Sequence, residues 1–506
     1  MAKPDAGPVE IELKLRLPPG SHAALEQVPA LSAVRAEQRR EITRYFDTED
    51  RALFANGFVL RVRSRGNRRI QTLKSAPSDG GVAPARGEWE WPVEREEPDA
   101  ALLAETPARD IAATLDGRRL EALFVTDIER STRQLVLDDD THVEVALDEG
   151  TIEAGDAREK VDELELELKS GALGPLYRLA IELHEAVPMW LAPESKSARG
   201  YRLRDGTAPR APHATKLRLD PKVRTNEAFR VIVASGLSQI LENIAAAEAA
   251  APEGIHQLRI GLRRVRSALV LFAPLLEPNA AALFERELKR LGQVFGERRD
   301  RDVLCLQTLP AVAHDLGASW IDRLRPPAEA YRASANGPVQ EALHGAGLTS
   351  LALGLAAWCE EGLEHPAHLG HKRLGKRLAN VAPDLLDRMA RKVARRAKRA
   401  DTPESLHGLR KSLKKLRYST EFVAGLYKPK AVKRYRKRCE ALQELLGTIN
   451  DARVTPRLAD DMLGVRGTEL APAFAQLAAW SAEQERKALR RLDEALTKFR
   501  RTEPFW

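Results

Sequence analysis

The hydrophobic period of the sequence changes once, near residue 205, and this change constrains the fold more than any other feature. Before it, apolar and charged residues alternate, as in Val9–Leu17 (VEIELKLRL) and Val161–Lys169 (VDELELELK). A period of two is typical of strands with two unlike faces. After it, apolar residues recur every three or four positions, as they do in amphipathic helices. We therefore expect a multidomain α+β protein, with a mostly antiparallel β half that includes a few helices, followed by an all-α half.

The segment between the two halves has no apolar period. Residues 206–220 are rich in Pro, Ala and Gly, which predicts a linker. We expect a β domain over residues 1–205 and a helical domain over residues 221–506. A chain of 506 residues is long enough for each domain to bury its own core.

The two halves carry opposite net charge. The whole chain has a formal net charge of +8. Residues 1–205 contain 29 basic and 39 acidic residues, a net charge of −10, whereas the rest contains 52 and 34, a net charge of +18. Such asymmetry indicates two domains with different electrostatic roles.

Composition excludes several protein classes. No apolar run approaches the ~18 residues that a membrane helix needs, and the N-terminus lacks the basic and apolar regions of a secretory signal. The cysteines Cys305, Cys359 and Cys439 are far apart, which excludes a disulfide framework and favours a reducing compartment. We expect a cytoplasmic protein without a membrane partner.

The helical half contains a duplication. The segment HQLRIGLRRVR begins at His256, and HGLRKSLKKLR begins at His407, 151 residues later. Forty residues after each histidine comes a glycine. Equal spacing in both places predicts a pair of pseudo-symmetric helical bundles, with repeats around 221–370 and 371–506.

Each repeat places four basic residues on one helix face, at positions i, i+3, i+7 and i+10. Like charges stacked in this way destabilise a helix by about 0.2–0.5 kcal/mol per pair. A duplicated stripe therefore favours anion binding over an ordinary solvated face. The stripes are His256, Arg259, Arg263 and Arg266 in the first repeat, and His407, Arg410, Lys414 and Arg417 in the second.

The strands of the β half separate acidic from basic faces. Glu88 and Glu90 share one strand face, whereas Arg61, Arg63 and Arg65 share another. A divalent cation takes carboxylate oxygens as ligands, and phosphate is bound by Arg and Lys. Acidic strands opposite basic strands inside an eight-stranded barrel would supply both. The alternative is a set of solvated strand faces.

These residues resemble the CYTH superfamily, the triphosphate tunnel metalloenzymes. The resemblance implies an antiparallel, eight-stranded β tunnel that acts on triphosphate substrates with Mg²⁺ or Mn²⁺. The signature ExExK is matched by Glu10–Lys14. Further matches follow in order at Tyr45–Thr48, Leu60–Arg63, Arg86–Glu90, Val143–Gly150, Glu163–Leu168 and Ser195–Tyr201.

The resemblance also implies roles for individual side chains. Glu88 or Glu90 would position metal or water, and alternation alone does not distinguish Glu163, Glu165 and Glu167 as ligands. The implied metal ligands are Glu10, Glu12, Asp148, Glu163 and Glu165. The implied phosphate-binding residues are Lys14, Arg61, Arg63, Lys74, Arg130 and Lys196. The implied catalytic group is Glu10, Glu12, Lys14, Glu88 and Glu90.

The helical half resembles the CHAD domain, a module of two pseudo-symmetric helical repeats. Arg299–Val303 matches the family's RDxDV, whereas Asn450–Val454 keeps Asp451 but replaces the preceding Arg and the second Asp. We expect these aspartates to orient the basic helices. The resemblance implies that the two basic stripes bind inorganic polyphosphate.

Together these features predict a metal-dependent inorganic triphosphatase whose helical domain binds polyphosphate. One alternative is a non-catalytic polyphosphate-binding protein targeted to granules. Another is a nucleoside or thiamine triphosphatase, or an adenylate cyclase. Specific nucleic-acid binding is not expected, because aromatic residues make up only 5% of the chain and no nucleic-acid-binding motif is present. The sequence leaves open the substrate chain length, the choice between Mg²⁺ and Mn²⁺, and the oligomeric state.

Overall fold

The alternating segments of the first half form nine strands. The computed structural model describes residues 9–77, 80–114, 119–317, 321–364, 371–463 and 470–506. The strands are β1 (Val9–Arg16), β2 (Glu37–Asp47), β3 (Phe58–Arg65), β4 (Arg68–Ser75), β5 (Ala85–Val93), β6 (Glu121–Val136), β7 (His142–Ala154), β8 (Ala157–Ser170) and β9 (Trp190–Leu191).

Eight of these strands close into an antiparallel barrel. Their order is β5-β4-β3-β2-β6-β7-β8-β1, and β1 pairs with β5 to complete the circle. The two-residue strand β9 pairs with the end of β1. The barrel and the helical region that follows it confirm the predicted fold class.

Short helices accompany the barrel strands. Both α5 and α6 follow the last long strand, which brings α6 back to the barrel. The helices are α1 (His22–Glu26), α2 (Pro29–Ser32), α3 (Ala52–Ala55), α4 (Arg109–Thr114), α5 (Leu173–Ala186) and α6 (Lys196–Asp205). Single 3₁₀ turns span Ala100–Glu105 and Asp138–Asp140.

From Thr225 onward the described chain is helical. No single described helix is both long and apolar enough to cross a membrane, and one adjoining pair, Ile321–His344 with Ala346–Glu361, passes that test only when taken together. The helices are α7 (Thr225–Leu241), α8 (Ile244–Glu248), α9 (Pro252–Phe272), α10 (Pro278–Val303), α11 (Leu309–Leu316), α12 (Ile321–Ala333), α13 (Asn336–His344), α14 (Ala346–Glu361), α15 (His371–Leu374), α16 (Leu378–Ala397), α17 (Pro403–Phe422), α18 (Pro429–Leu463) and α19 (Ala471–Arg500). Short 3₁₀ or π turns span Ala273–Leu275, Leu304–Thr308, Gly362–Glu364 and Ala424–Leu426.

The helix boundaries repeat with the period that the sequence shows. The helices α9 and α17 begin at Pro252 and Pro403, and α10 and α18 begin at Pro278 and Pro429. Both offsets are 151 residues. Proline suits the first helical position, because its missing N–H would have no partner there. The sequence duplication is therefore a structural duplication as well. The proposed boundary between the repeats, at residue 370, lies outside the described residues.

The chain divides into two compact units. The first contains residues 1–212, 237–249 and 343–361, and the second contains residues 213–236, 250–342 and 362–506. The first unit thus includes helical segments from beyond the barrel. Within it, α14 packs against α5.

Two hydrogen bonds from the barrel side hold α14 in the first unit. The imidazole of His184 on α5 lies 3.1 Å from the hydroxyl of Ser350. The backbone N–H of Leu191 donates to Thr349 Oγ1 at 3.2 Å. Because His184, Leu191 and Thr349 are buried, these bonds are shielded from water and specify how α14 packs.

Asp47, the last residue of β2, is fully buried and holds the chain that follows. Its carboxylate links β2 to both α3 and α6 at one end of the barrel. It accepts hydrogen bonds from the backbone N–H groups of Thr48 (2.8 Å), Leu53 (3.0 Å) and Phe54 (2.9 Å) and from the hydroxyl of Tyr201 (3.0 Å).

We expect Asp47→Ala to destabilise the first unit by about 3–5 kcal/mol, because each buried donor left without an acceptor costs about 1–3 kcal/mol. Tyr201→Phe removes one of the same bonds and should cost about 1 kcal/mol. Urea denaturation of the full chain measures both. Equal losses for the two variants would contradict the central role of Asp47.

Candidate functional site

A polar cavity of about 290 Å³ lies inside the barrel, and ten basic and seven acidic side chains line it. Alternate residues of a barrel strand face the interior, so the charged positions of the period-two strands meet there. Helix α6 adds its first turn. The structure brings these sequence-predicted residues together around the cavity: Glu10, Glu12, Lys14, Arg61, Arg63, Lys74, Glu88, Glu90, Arg130, Glu165 and Lys196.

Asp148 and Glu163 are placed differently. In the described part of the chain neither belongs to the cavity lining, and both are 1% exposed or less. Asp148 accepts two hydrogen bonds from Arg130, at 2.6 and 2.5 Å. Glu163 accepts one from Lys196 at 2.8 Å and another from Arg199. These two acids therefore lie outside the cavity lining and hold basic side chains, of which Arg130 and Lys196 line the cavity.

The acidic wall of the cavity is on β1. Arg86 bridges its two glutamates, with Nε 2.6 Å from Glu10 Oε2 and Nη2 2.9 Å from Glu12 Oε2. Burial alone would raise the pKa of Glu10, but Lys74 and Arg86 hold it well below its usual range. Burial and the nearby Glu165 instead raise the pKa of Glu12. Negative charge at Glu12 is therefore incompletely compensated.

Glu165 lies at the centre of the cavity lining. It accepts hydrogen bonds from Lys14 at 2.5 Å, Arg130 at 2.6 Å and Lys196 at 2.7 Å. Lys14 is its direct partner across the β1–β8 pair. Despite burial, these three cations hold the pKa of Glu165 well below its usual value. Of the candidate ligands Glu163, Glu165 and Glu167, Glu165 contacts the largest number of predicted phosphate-binding side chains.

The basic wall is on β3 and β4. Arg61 donates to Glu88 at 3.4 Å, but its buried Nε has no hydrogen-bond partner among the described residues. Burial and Arg61 lower the pKa of Arg63 to about 10. They also lower the pKa of Lys74 to about 8. Burial and neighbouring cations therefore disfavour the charge on Arg63 and Lys74, so a bound anion would stabilise it.

Sequence reasoning missed several side chains that line or support the cavity. Arg86 is part of a recognised motif, but only the β1–β5 register, which pairs it with Glu10, shows its role. Glu41 is on β2, where residues 37–41 are polar on both faces and alternation carries no signal. Glu167, which the sequence left open as a ligand, also lines the cavity. Lining residues to which the sequence gave no role are Arg39, Tyr45, Arg65, Glu144, Lys169, Ser195 and Ser197.

The donor chemistry of the cavity fits a hard divalent cation. Mg²⁺ is usually bound through one or two carboxylates, with water and phosphate oxygens as its other ligands. Over the described ranges, no three acidic, His or Cys side chains are spaced as a complete metal site. Glu10 and Glu12 would therefore need oxygens from phosphate or water. The raised pKa of Glu12 shows that a positive charge beside it would be favourable.

A second charged cluster lies in the second unit, where α9 and α17 contact each other and bring the two basic stripes together. Burial, followed by Arg263 and Arg410, lowers the pKa of Lys414 to about 6. Burial and Arg263 lower the pKa of Arg259 to about 10. Cations from both repeats thus repel one another within one cluster.

Two aspartates orient the facing arginines at equivalent positions. Asp300 lies 3.7 Å from Arg259, and Asp451 lies 3.8 Å from Arg410. Each aspartate follows its arginine by 41 residues. Arg410 still has a buried Nε without a hydrogen-bond partner in the described chain. The aspartates therefore position the arginines without saturating them.

The histidines and the last residues of the stripes have different surroundings. Burial and Arg299 lower the pKa of His256 to about 4, whereas His407 Nδ1 lies 3.1 Å from Asn450 Oδ1. The last residues pair with side chains outside the cluster. Arg266 contacts Glu285 at 3.1 Å, and Arg417 contacts Gln443 at 2.9 Å.

The second repeat replaces one motif aspartate by an arginine but keeps an ion pair. Asp302 is fully buried and accepts hydrogen bonds from Arg298 and Arg332. The equivalent position, 151 residues later, is Arg453, which donates to Glu485 at 2.6 Å. Both positions therefore form an ion pair, but the charge of the motif residue is reversed and the partners lie at different positions of the two repeats.

Comparison with known proteins agrees with the family resemblance of each half. Residues 9–201 match the CYTH domain family, and residues 231–460 match the CHAD domain family. An inorganic triphosphatase of Haemophilus influenzae is 31% identical over 197 residues, which is 38% of this chain and 54% of that protein. The chain thus matches about half the length of that relative.

A solved structure also resembles the helical half. The crystal structure of the CHAD domain from the plant Ricinus communis is 28% identical, covers 58% of this chain and 98% of its own, and has a TM-score of 0.51. The two domain matches follow each other without overlap. The chain therefore belongs to the CYTH and CHAD families, with a CYTH domain followed by a CHAD domain.

Proposed function

We propose that the CYTH domain hydrolyses inorganic triphosphate to diphosphate and phosphate in the barrel cavity. The observation that carries the proposal is the composition of that cavity, in which basic side chains outnumber acidic ones and several lack full compensation. The likeness to the Haemophilus influenzae inorganic triphosphatase supports it. A linear polyanion without an organic group would neutralise the excess positive charge of this lining.

The basic residues would bind and orient the substrate. One side of the cavity supplies Arg61, Arg63 and Lys74. The other side supplies Lys14, Arg130 and Lys196. Together they would hold the phosphate chain for in-line attack by water. Mg²⁺ or Mn²⁺, when bound by Glu10 and Glu12 with Glu165 nearby, would supply charge stabilisation at the phosphate oxygens.

Two further carboxylates are candidates to position water. Glu88 is engaged by Lys74 at 2.9 Å and by Arg61. Glu90 is more exposed and accepts one hydrogen bond, from Thr72 Oγ1 at 3.1 Å. Glu90 therefore retains more acceptor capacity for a water molecule. Because Glu10, Glu12 and Glu165 line the cavity, whereas Asp148 and Glu163 do not among the described residues, we favour the first three as the metal-binding residues.

For the CHAD domain we propose binding of inorganic polyphosphate. Its cluster combines the two basic stripes, and the low pKa of Lys414 reflects burial together with repulsion by Arg263 and Arg410, which a bound phosphate would offset. A non-catalytic polyphosphate-binding protein is the alternative. Binding alone would not require the buried carboxylates Glu10, Glu12 and Glu165, which lie among the cavity's cations.

Phosphate release by the purified chain tests the proposal. We expect hydrolysis of tripolyphosphate with Mg²⁺ or Mn²⁺, and slower release from ATP, thiamine triphosphate and long polyphosphate. A faster reaction with an organic triphosphate would favour that substrate class, and cyclic AMP formation would favour a cyclase. A folded protein that releases phosphate from none of them would exclude the enzyme.

The double variant Glu10→Gln with Glu12→Gln should reduce tripolyphosphate turnover by about 10²–10³-fold or more, because it removes the charge that a cation needs. Long-chain polyphosphate binding by the CHAD domain should be unchanged in calorimetry. Glu149→Gln, an exposed position on β7, is the matched control. Retained turnover in the double variant would rule out this metal site.

The triple variant His256→Ala, Arg259→Ala and Arg410→Ala should weaken long-chain polyphosphate binding by at least about tenfold, because charge-assisted hydrogen bonds are lost. Tripolyphosphate hydrolysis should continue at the wild-type rate. Lys437→Ala, on the exposed face of α18, controls for the loss of positive charge alone. Unchanged long-chain affinity would contradict binding at this cluster.

Polyphosphate binding should take up a proton at Lys414. With a pKa of about 6 in the free protein, this side chain is mostly neutral at pH 7.5, and a bound polyanion raises its pKa. Affinity should therefore fall as the pH rises above 6. Calorimetry at pH 7.5 in two buffers of different ionisation enthalpy measures the uptake, and Lys414→Gln should abolish it. Equal proton uptake in wild type and variant would show that a group other than Lys414 takes up the proton.

A further inference from the structure

Glu41 lies buried behind the basic wall of the barrel cavity, surrounded by four arginines. It is on β2, is 4% exposed and does not itself line the cavity within the described residues. Its carboxylate oxygens lie 2.7 Å from Arg39 Nε and 2.6 Å from Arg65 Nε. They lie 3.7 Å from Arg63 Nε and 3.9 Å from Arg130 Nε. All four arginines line the cavity.

In all four ion pairs the arginine atom nearest Glu41 is Nε. Among the described residues only Arg39 donates a hydrogen bond to Glu41, and Arg65 Nε, although close to it, has no hydrogen-bond partner, so the other three arginines are held by charge. A guanidinium has five N–H donors in a planar fork, one on Nε and four on the two Nη atoms. An arginine held through Nε still has its Nη groups for another acceptor. For Arg63 and Arg65, the structure as described shows no hydrogen bond from these Nη groups, although both side chains reach the cavity.

The charges of this group do not balance. Burial would raise the pKa of Glu41, but Arg63, Arg130 and Arg65 lower it to about 2. Glu41 is therefore ionised throughout the physiological range. One negative charge holds four positive charges together and leaves them with a net positive charge. Arg130 has Asp148 and Glu165 as further partners, so the excess falls mainly on Arg63 and Arg65.

We propose that Glu41 is a positioning residue, whose negative charge holds Arg63 and Arg65 with Nε on its side so that their Nη groups bind a phosphate group of the triphosphate. This inference rests on the proposed function. Glu41 does not contact the substrate. It supplies the ordering of two long side chains before the substrate arrives, and this ordering would otherwise reduce the binding free energy.

The variant Glu41→Gln keeps the shape of the side chain and removes its charge. We expect the KM for tripolyphosphate to rise about tenfold, which corresponds to the loss of about one charge-assisted hydrogen bond. The kcat should stay within about threefold, because the arginines hold the phosphate similarly in substrate and transition state. Glu41→Asp retains the charge and should restore most of the affinity.

Three comparisons separate positioning from a general structural role. Glu153→Gln, on β7 and paired with Arg158 at 3.4 Å, should match wild type. In a variant with Arg63→Lys and Arg65→Lys the Nη groups are absent, so adding Glu41→Gln should change KM by less than about twofold. Thermal melting checks that each variant is folded.

An unchanged or lower KM in folded Glu41→Gln would overturn the proposal, because Glu41 would then be a counter-ion only. A loss of kcat that Glu41→Asp does not restore would also overturn it. If wild type does not hydrolyse tripolyphosphate, the proposed function fails separately. In that case calorimetric binding of tripolyphosphate still tests Glu41, with about tenfold weaker binding expected for Glu41→Gln.

Discussion

The pairing of β1 with β5 closes the sheet, and the charged cavity depends on this closure. In an open sheet the same side chains would lie on a solvated face, where their charges interact weakly. Closure forces them into a small interior and sets Glu10 opposite Arg86. Because the cations outnumber the acids there, the lowered pKa of Lys74 is a consequence of the topology. The same holds for Arg61 Nε, which has no hydrogen-bond partner in the described part of the chain. The acids of the barrel alone do not neutralise its basic side chains, and a bound phosphate would do so.

The CHAD domain concentrates positive charge by a different route. Two copies of one helical unit bring their basic stripes together, and burial combined with repulsion between these cations lowers the pKa of Lys414. Its aspartates, Asp300 and Asp451, are used to orient arginines. In the CYTH domain, by contrast, Glu12 retains uncompensated negative charge. This difference supports a cation-assisted reaction in the barrel and binding without chemistry in the helical cluster.

Alternation and repetition made much of this arrangement predictable. Glu12 and Arg61 were assigned to charged strand faces, and a strand's period of two was enough to place each on its face. The duplication was visible as equal spacing of the basic stripes and recurs in the starts of the helices. Glu41 and Arg86 were not identified, because their roles follow from which strands are neighbours. Asp148 was assigned to the metal from its motif, and only its contacts with Arg130 and Lys196 show how fully it is engaged.

The sequence by itself determined the two fold classes, the faces of the strands and helices, and the opposite charges of the two halves. Each of these depends on residues close together in the chain, whose periodicity is set by local backbone geometry. Only the tertiary structure decided which charges meet. Strand register placed Lys14 against Glu165, and the order of the strands placed Arg63, Arg65 and Arg130 around Glu41. Such pairings join residues far apart in sequence, and local periodicity carries no information about them.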